Sequence, residues 1–147
     1  MKCAYCGSKK TEVFNSRSTR NGTQIWRRRR CQDCGEVMTS YERPDLSAVL
    51  YIDTGAKKKA RYSRTKLLIS LVRAFEQSSK LTDLENIIDT IEQRLMALQT
   101  DYVTSAELAE VVLRTIKPVD TAAFVKYLAT YGDIASSREL NKLIKKY

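Results

Sequence analysis

Histidine is absent, and proline, glycine and tryptophan are scarce: the 147 residues include two Pro, five Gly and one Trp. Without an imidazole, a lone reactive serine or an evident carboxylate pair, the composition gives no support for an enzyme. Long apolar runs are missing too, and none approaches the length of a membrane span. Met1-Lys2-Cys3 leaves no room for a signal peptide, so an oxidising compartment is not expected. Acid is in deficit. Against 26 Lys and Arg stand 17 Asp and Glu, a formal charge of +9. That excess favours polyanionic partners such as nucleic acid, nucleotides or an acidic membrane face. The alternative is simply a soluble basic protein, and the location of the charge decides. With 43% hydrophobic and 29% charged residues, the chain is globular rather than disordered.

What the chain does have is four cysteines, arranged as two near-identical clips, Cys3-Ala4-Tyr5-Cys6-Gly7 and Cys31-Gln32-Asp33-Cys34-Gly35. Two Cys-x-x-Cys pairs supply four thiolates, the ligand set of a tetrahedral structural Zn²⁺. A glycine after each pair suits a turn with positive φ that aims two sulfurs at one ion. The 24 residues between the clips are enough for a hairpin, giving a zinc ribbon. A redox Cys-x-x-Cys pair would not occur twice. A four-cysteine iron–sulfur site is left open by this spacing. With protein filling all four positions, no site remains for a catalytic water.

The first segment reads as short strands: Thr11 to Phe14, a return from Gln24 to Arg30 after an Asn21-Gly22 turn, and Val37 to Tyr41. So small a unit buries little apolar surface, and the metal takes the place of a core. Pro44 marks a boundary, after which Ala48 to Ile52 reads as a buried strand stopped by Asp53-Thr54-Gly55. The period then changes to that of helices. Leu67, Leu68, Leu71, Val72 and Phe75 line one face, and Leu84, Ile87, Ile88, Ile91 and Leu95 the next. A capping box, Thr104 with Glu107, starts a third helix that turns Leu108, Val111, Val112 and Ile116 inward before Pro118. Asp120 caps a fourth carrying Phe124, Val125 and Leu128 and stopping at Gly132, and Leu140, Leu143, Ile144 and Tyr147 suit a fifth. The fold class is therefore α+β, a zinc ribbon followed by a mainly helical domain with a short β-hairpin.

Basic charge is concentrated in two places. Arg27 to Arg30 run consecutively into the second clip, so in a strand Arg27 and Arg29 share one face and Arg28 and Arg30 the other. Such a strand could be merely solvated. Four adjacent arginines repel one another unless an anion meets them, however, and guanidinium makes bidentate contacts with phosphate and guanine edges. Arg17 and Arg20 could extend the surface, with Trp26 stacking or packing under the hairpin. DNA or RNA binding is the preferred reading. The second stretch, residues 56–66, has six Lys or Arg and no acid, and it precedes a helix N-terminus. It lacks the Walker A spacing, and its composition fits nucleotide phosphate, nucleic-acid backbone or a solvated linker.

Taken in order, these segments resemble the NrdR family, bacterial repressors of ribonucleotide reductase genes. The resemblance rests on the two clips, Asn15-Ser16-Arg17, Ile25-Trp26-Arg27-Arg28-Arg29-Arg30-Cys31, and Thr39-Ser40-Tyr41-Glu42-Arg43. Tyr62-Ser63-Arg64-Thr65-Lys66-Leu67 and Ala123 to Tyr131 look like the family's ATP-cone. The resemblance implies a DNA-binding zinc ribbon over 1–46, a nucleotide-binding ATP-cone over 47–136 and a helical tail over 137–147. It implies one structural Zn²⁺ on Cys3, Cys6, Cys31 and Cys34, and double-stranded operator DNA on Arg17, Arg27, Arg28, Arg29 and Arg30. ATP or dATP would meet Leu50, Ile52, Lys57, Lys58, Lys59, Arg61, Ser63, Lys66 and Phe124. Bound nucleotide would set a homo-oligomeric state, and thereby operator binding, in a bacterial cytoplasm. Where the family carries two basic residues before its turn, this chain reads Tyr51-Ile52-Asp53-Thr54-Gly55; Lys57 to Lys59 could supply the charge from the other side. A protein- or RNA-interaction ribbon with a cone-like oligomerisation domain that does not sense nucleotide is the alternative.

Overall fold

The computed structural model describes residues 1–19, 22–55, 59–132 and 136–147, apart from the side chains of Ser137 and Leu140. Arg20, Asn21, Lys57 and Lys58, all singled out above, lie outside the described residues, as does the Leu140 side chain. The chain divides into two compact units, Met1–Asp45 and Leu46–Tyr147.

The first unit is an antiparallel sheet of β1 (Thr11–Thr19), β2 (Gln24–Cys31) and β3 (Val37–Glu42), with β2 in the centre. β1 runs five residues beyond the expected Phe14 because its polar half stays in register, Arg17 opposite Trp26 and Thr19 opposite Gln24. A bulge between Val13 and Asn15 leaves Phe14 unpaired. Cys3 and Cys31 are the buried hydrophobic residues of this unit among those described. Its interior is therefore formed by two of the four cysteines, with Cys6 and Cys34 exposed beside them.

The second unit contains a three-stranded sheet in the order β5-β4-β6, with β4 (Tyr51–Asp53) antiparallel to β5 (Ala60–Arg61) and parallel to β6 (Tyr102–Thr104). The expected strand over Ala48 to Ile52 is corrected. Leu46–Ala48 form a 3₁₀ turn, Val49 is 59% exposed, and the strand starts at Tyr51. β6 was not expected, because three residues are too few to display a period of two; its centre, Val103, is fully buried beside Ile52.

Among the described residues the α-helices are α1 (Arg64–Phe75), α2 (Leu84–Ala97), α3 (Ser105–Ile116), α4 (Thr121–Tyr131) and α5 (Ser137–Lys146). The capping box is present, Glu107 N–H donating to Thr104 Oγ1 and Thr104 N–H to Glu107 Oε2. Asp120 caps α4 by accepting from the Ala123 N–H, and its other oxygen accepts from Ser78. The α2 stripe is buried as expected. On α1 and α4 the buried stripe is displaced by about one position. Ala74 lies inside while Val72 is 42% exposed, and Ala123 and Tyr127 lie inside while Val125 is 39% exposed. On α3, Leu113 and Thr115 are buried with Val112 and Ile116, whereas Leu108 and Val111 pack at the margin. Burial follows the neighbouring elements, which a single-helix pattern does not contain. α5 joins the same core through Leu143, Ile144 and Tyr147, whose ring meets Phe124 edge-on at 6.2 Å. No described helix is long and apolar enough to cross a membrane.

Candidate metal centre, basic face and cavity

Each cysteine clip closes the same way. Gly7 N–H donates to Cys3 C=O and Gly35 N–H to Cys31 C=O, both at 3.0 Å, and the two glycines have φ of 74° and 76°. A side chain at either glycine would be strained whatever the space around it. The four Sγ atoms lie within 4.8 Å of one another, with Cys3–Cys34 at 3.7 Å and Cys6–Cys31 at 3.6 Å. A tetrahedron with Zn–S of about 2.3 Å has edges near 3.8 Å, so the cluster is the size of a Zn(Cys)₄ centre. The sulfurs are unbridged. Backbone N–H groups of Cys34 and Asp33 lower the Cys31 thiol to about 6. Cys6 and Cys34 also accept backbone bonds, but desolvation and the neighbouring sulfurs outweigh these, raising Cys6 and pushing Cys34 up to about 12. A metal must therefore displace protons as it binds. Cys3, Cys6, Cys31 and Cys34 would hold the ion. It would fix one end of the sheet, where β1 begins, β2 ends and β3 begins, and supply no chemistry of its own.

Cross-strand pairs share a face of the sheet, and the register sorts the arginines. Arg28 lies opposite Asn15 and Thr39, Trp26 opposite Arg17 and Tyr41, and Arg30 opposite Glu12 and Val37. Arg17, Arg28 and Arg30 therefore share one face with Trp26 and Tyr41. Arg17 sits over the Trp26 ring at 6.0 Å and Arg30 over the unpaired Phe14 at 5.0 Å. Tyr41 is 64% exposed and Phe14 48%. Arg27 and Arg29 are on the other face and half-buried. Arg27 pairs with Glu42 at 2.8 Å, and Arg29 Nε donates to Ser40 Oγ at 3.1 Å. Among the described residues, no carboxylate forms an ion pair with Arg17, Arg28 or Arg30.

The second unit has an open cavity of about 450 Å³. Of the expected nucleotide residues, Ile52, Arg61, Ser63 and Lys66 line it. Leu50 and Phe124 do not; both are buried in the core. Lys59 sits over the exposed Tyr102 ring at 4.1 Å. Sequence reasoning missed Ser105, Ala106 and Ala109 of α3, and it left Tyr127 and Tyr131 of α4 without a role there. The two tyrosines, one helical turn apart, have ring centroids 4.5 Å apart. Burial pushes the Tyr127 phenol up to about 12, so it stays neutral. Ser63, which caps α1, and Lys66 in its first turn reach this cavity, as do Ser105 and Ala106, the first residues of α3. Their backbone N–H groups and dipoles favour an anion. Lys66 and Arg61 add charge, and the alanines leave room for a flat group beside the tyrosines.

Residues 1–42 match the family described as "Transcriptional repressor NrdR-like, N-terminal domain". Over nearly the whole length, the chain is similar to proteins named "Transcriptional repressor NrdR". It is 34% identical to that of Thermoanaerobacter sp. (strain X514), covering 99% of this chain and 94% of the relative. It is 32% identical to that of Petrotoga mobilis, covering 99% and 95%, and 30% identical to that of Methylibium petroleiphilum, covering 99% of each. These names describe regulation rather than catalysis. The similarity thus spans both units of this chain in proteins of matching length, and the chain belongs to the NrdR family.

Proposed function

We propose that the protein is a zinc-dependent, nucleotide-responsive repressor that binds double-stranded operator DNA, with ribonucleotide reductase genes as its targets. One observation carries the DNA half of this reading: Arg17, Arg28 and Arg30 stand with Trp26 and Tyr41 on one face of a sheet that has a four-cysteine cluster of metal-binding size at one end. Guanidinium groups on a rigid strand meet phosphates and guanine edges at fixed spacing. The aromatic rings limit the conformations of two of these arginines and so reduce the entropy lost on binding. Arg27 and Arg29 serve the ribbon's own packing.

The cavity supports the nucleotide half. Lys66, Arg61 and two helix N-termini suit a polyphosphate, and Tyr127 and Tyr131 suit a purine. Control by ATP and dATP is then linkage. A nucleotide that favours one oligomeric assembly promotes operator binding only if DNA favours that assembly too. Discrimination would hinge on one 2′-OH.

Fluorescence anisotropy with promoter DNA tests the first half. Arg28→Ala with Arg30→Ala should lower affinity about a hundredfold, two direct contacts being worth about 1–3 kcal/mol each, with zinc content unchanged. Parental affinity in this double variant would remove the basic face from the account.

A further inference from the structure

Arg64 is the first residue of α1, yet it does not line the cavity. Its guanidinium reaches α2, where Nη2 donates to Glu85 Oε2 and to Asp89 Oδ1 (2.8 Å) and Nη1 donates to Glu92 Oε2. The other Glu92 oxygen accepts from the Tyr62 hydroxyl at 2.9 Å. Tyr62 and Ser63, just before Arg64, and Lys66, just after it, are all cavity wall. Arg64, Asp89 and Glu92 are largely shielded from solvent, with side-chain exposures of 19%, 12% and 10%, whereas Glu85 at the outer edge is 66% exposed.

Charge of this kind is a weak way to stabilise a core, because desolvation offsets most of the attraction. Its position suggests another purpose. Three carboxylates beside the first turn of α1 oppose any anion that approaches the helix N-terminus. A guanidinium held among them offsets part of that repulsion. It also ties the backbone between Ser63 and Lys66 to α2, a rigid helix, so the groups facing the cavity keep their positions.

We propose that Arg64 is the positioning residue for the anion end of the cavity. Braced on Glu85, Asp89 and Glu92, it holds the Ser63–Lys66 turn in place for a nucleoside polyphosphate and screens that phosphate from the carboxylates. The proposal rests on the nucleotide reading of the cavity. It makes a distinction that a purely structural role does not: the effect must grow with the number of phosphates.

Calorimetric titration of the full-length zinc-loaded protein with ATP and with AMP tests it. Two variants are compared with the parent, Arg64→Lys, which keeps the charge but not the fork, and Arg64→Gln combined with Glu92→Gln. The second keeps the test open if the first fails to fold, because it removes a buried carboxylate together with its partner. ATP affinity should fall about tenfold, the equivalent of about 1.4 kcal/mol, and AMP affinity less than about threefold, with helical circular dichroism preserved. Equal losses for ATP and AMP, or parental ATP binding in both variants, would overturn the positioning role while leaving the nucleotide reading intact. No ATP binding by the parent would overturn both.

Discussion

Arg28 and Arg30 differ from Arg27 and Arg29 only in which side of β2 they occupy, and that decides what each can do. The outward pair has no carboxylate partner among the described residues, whereas Arg27 is held by Glu42 and Arg29 by Ser40. Replacing Arg28 alone should lower the slope of log affinity against log salt by about one if it meets a phosphate. If it reads a base, affinity should fall for the operator and not for random DNA. Replacing Arg27 should instead lower the melting temperature of the ribbon. The alternation was legible in the sequence, because a strand's period is two. Which face was engaged was not, since Glu42 and Ser40 come from β3 and their register is a tertiary fact. The same holds for Arg64, which reads as one more basic residue until α2 is placed beside it.

At the scale of elements, the ribbon and the helical unit are stabilised differently. Cys3 and Cys31 occupy the interior of the ribbon, and an apolar core with well-formed caps holds the helices. Trp26, the only tryptophan, lies in β2 and reports on the ribbon alone. A strong zinc chelator, or Cys31→Ser, should therefore shift Trp26 emission toward that of solvent-exposed indole while leaving far-ultraviolet helical signal almost unchanged. The caps predict a pH response of definite sign. Bonds from the Thr104 backbone and side chain hold the Glu107 carboxyl below its ordinary range, and bonds from Ser78 and the Ala123 N–H do the same for Asp120. A carboxyl depressed in the folded state stabilises above its unfolded value, about 4.3 for Glu and 3.9 for Asp, and that contribution is lost as pH falls through the lower folded value. The melting temperature of the helical unit should drop on acidification below about pH 4. Glu107→Gln with Asp120→Asn, which keep the caps without the titration, should flatten that drop. Both caps were visible in the sequence because capping is local. β6 and the exposed Val72 and Val125 were not, because pairing across two helices and the direction of a neighbour are set by packing.

For the whole molecule, the clips and the arginine run mark a metal-pinned basic sheet, and the relatives of matching length carry the name of a transcriptional repressor. The cavity was the least legible part. Its lining comes from two strands, the turn before α1, and helices α1, α3 and α4; several of its residues are alanines and serines, whose value lies in the space they leave. The proposed control joins the two units without any new chemistry: nucleotide selects an assembly, and the assembly either presents its ribbons at operator spacing or does not. If that is right, mass in solution should change between ATP and dATP, and added promoter DNA should shift the distribution toward one of the two assemblies. The most direct measurement is promoter-DNA affinity with saturating ATP, with saturating dATP and with neither, at fixed salt. The account predicts at least about a fivefold difference between the nucleotides, the lower end of typical coupling energies, with the tighter state set by dATP. Equal affinity under all three conditions would contradict it.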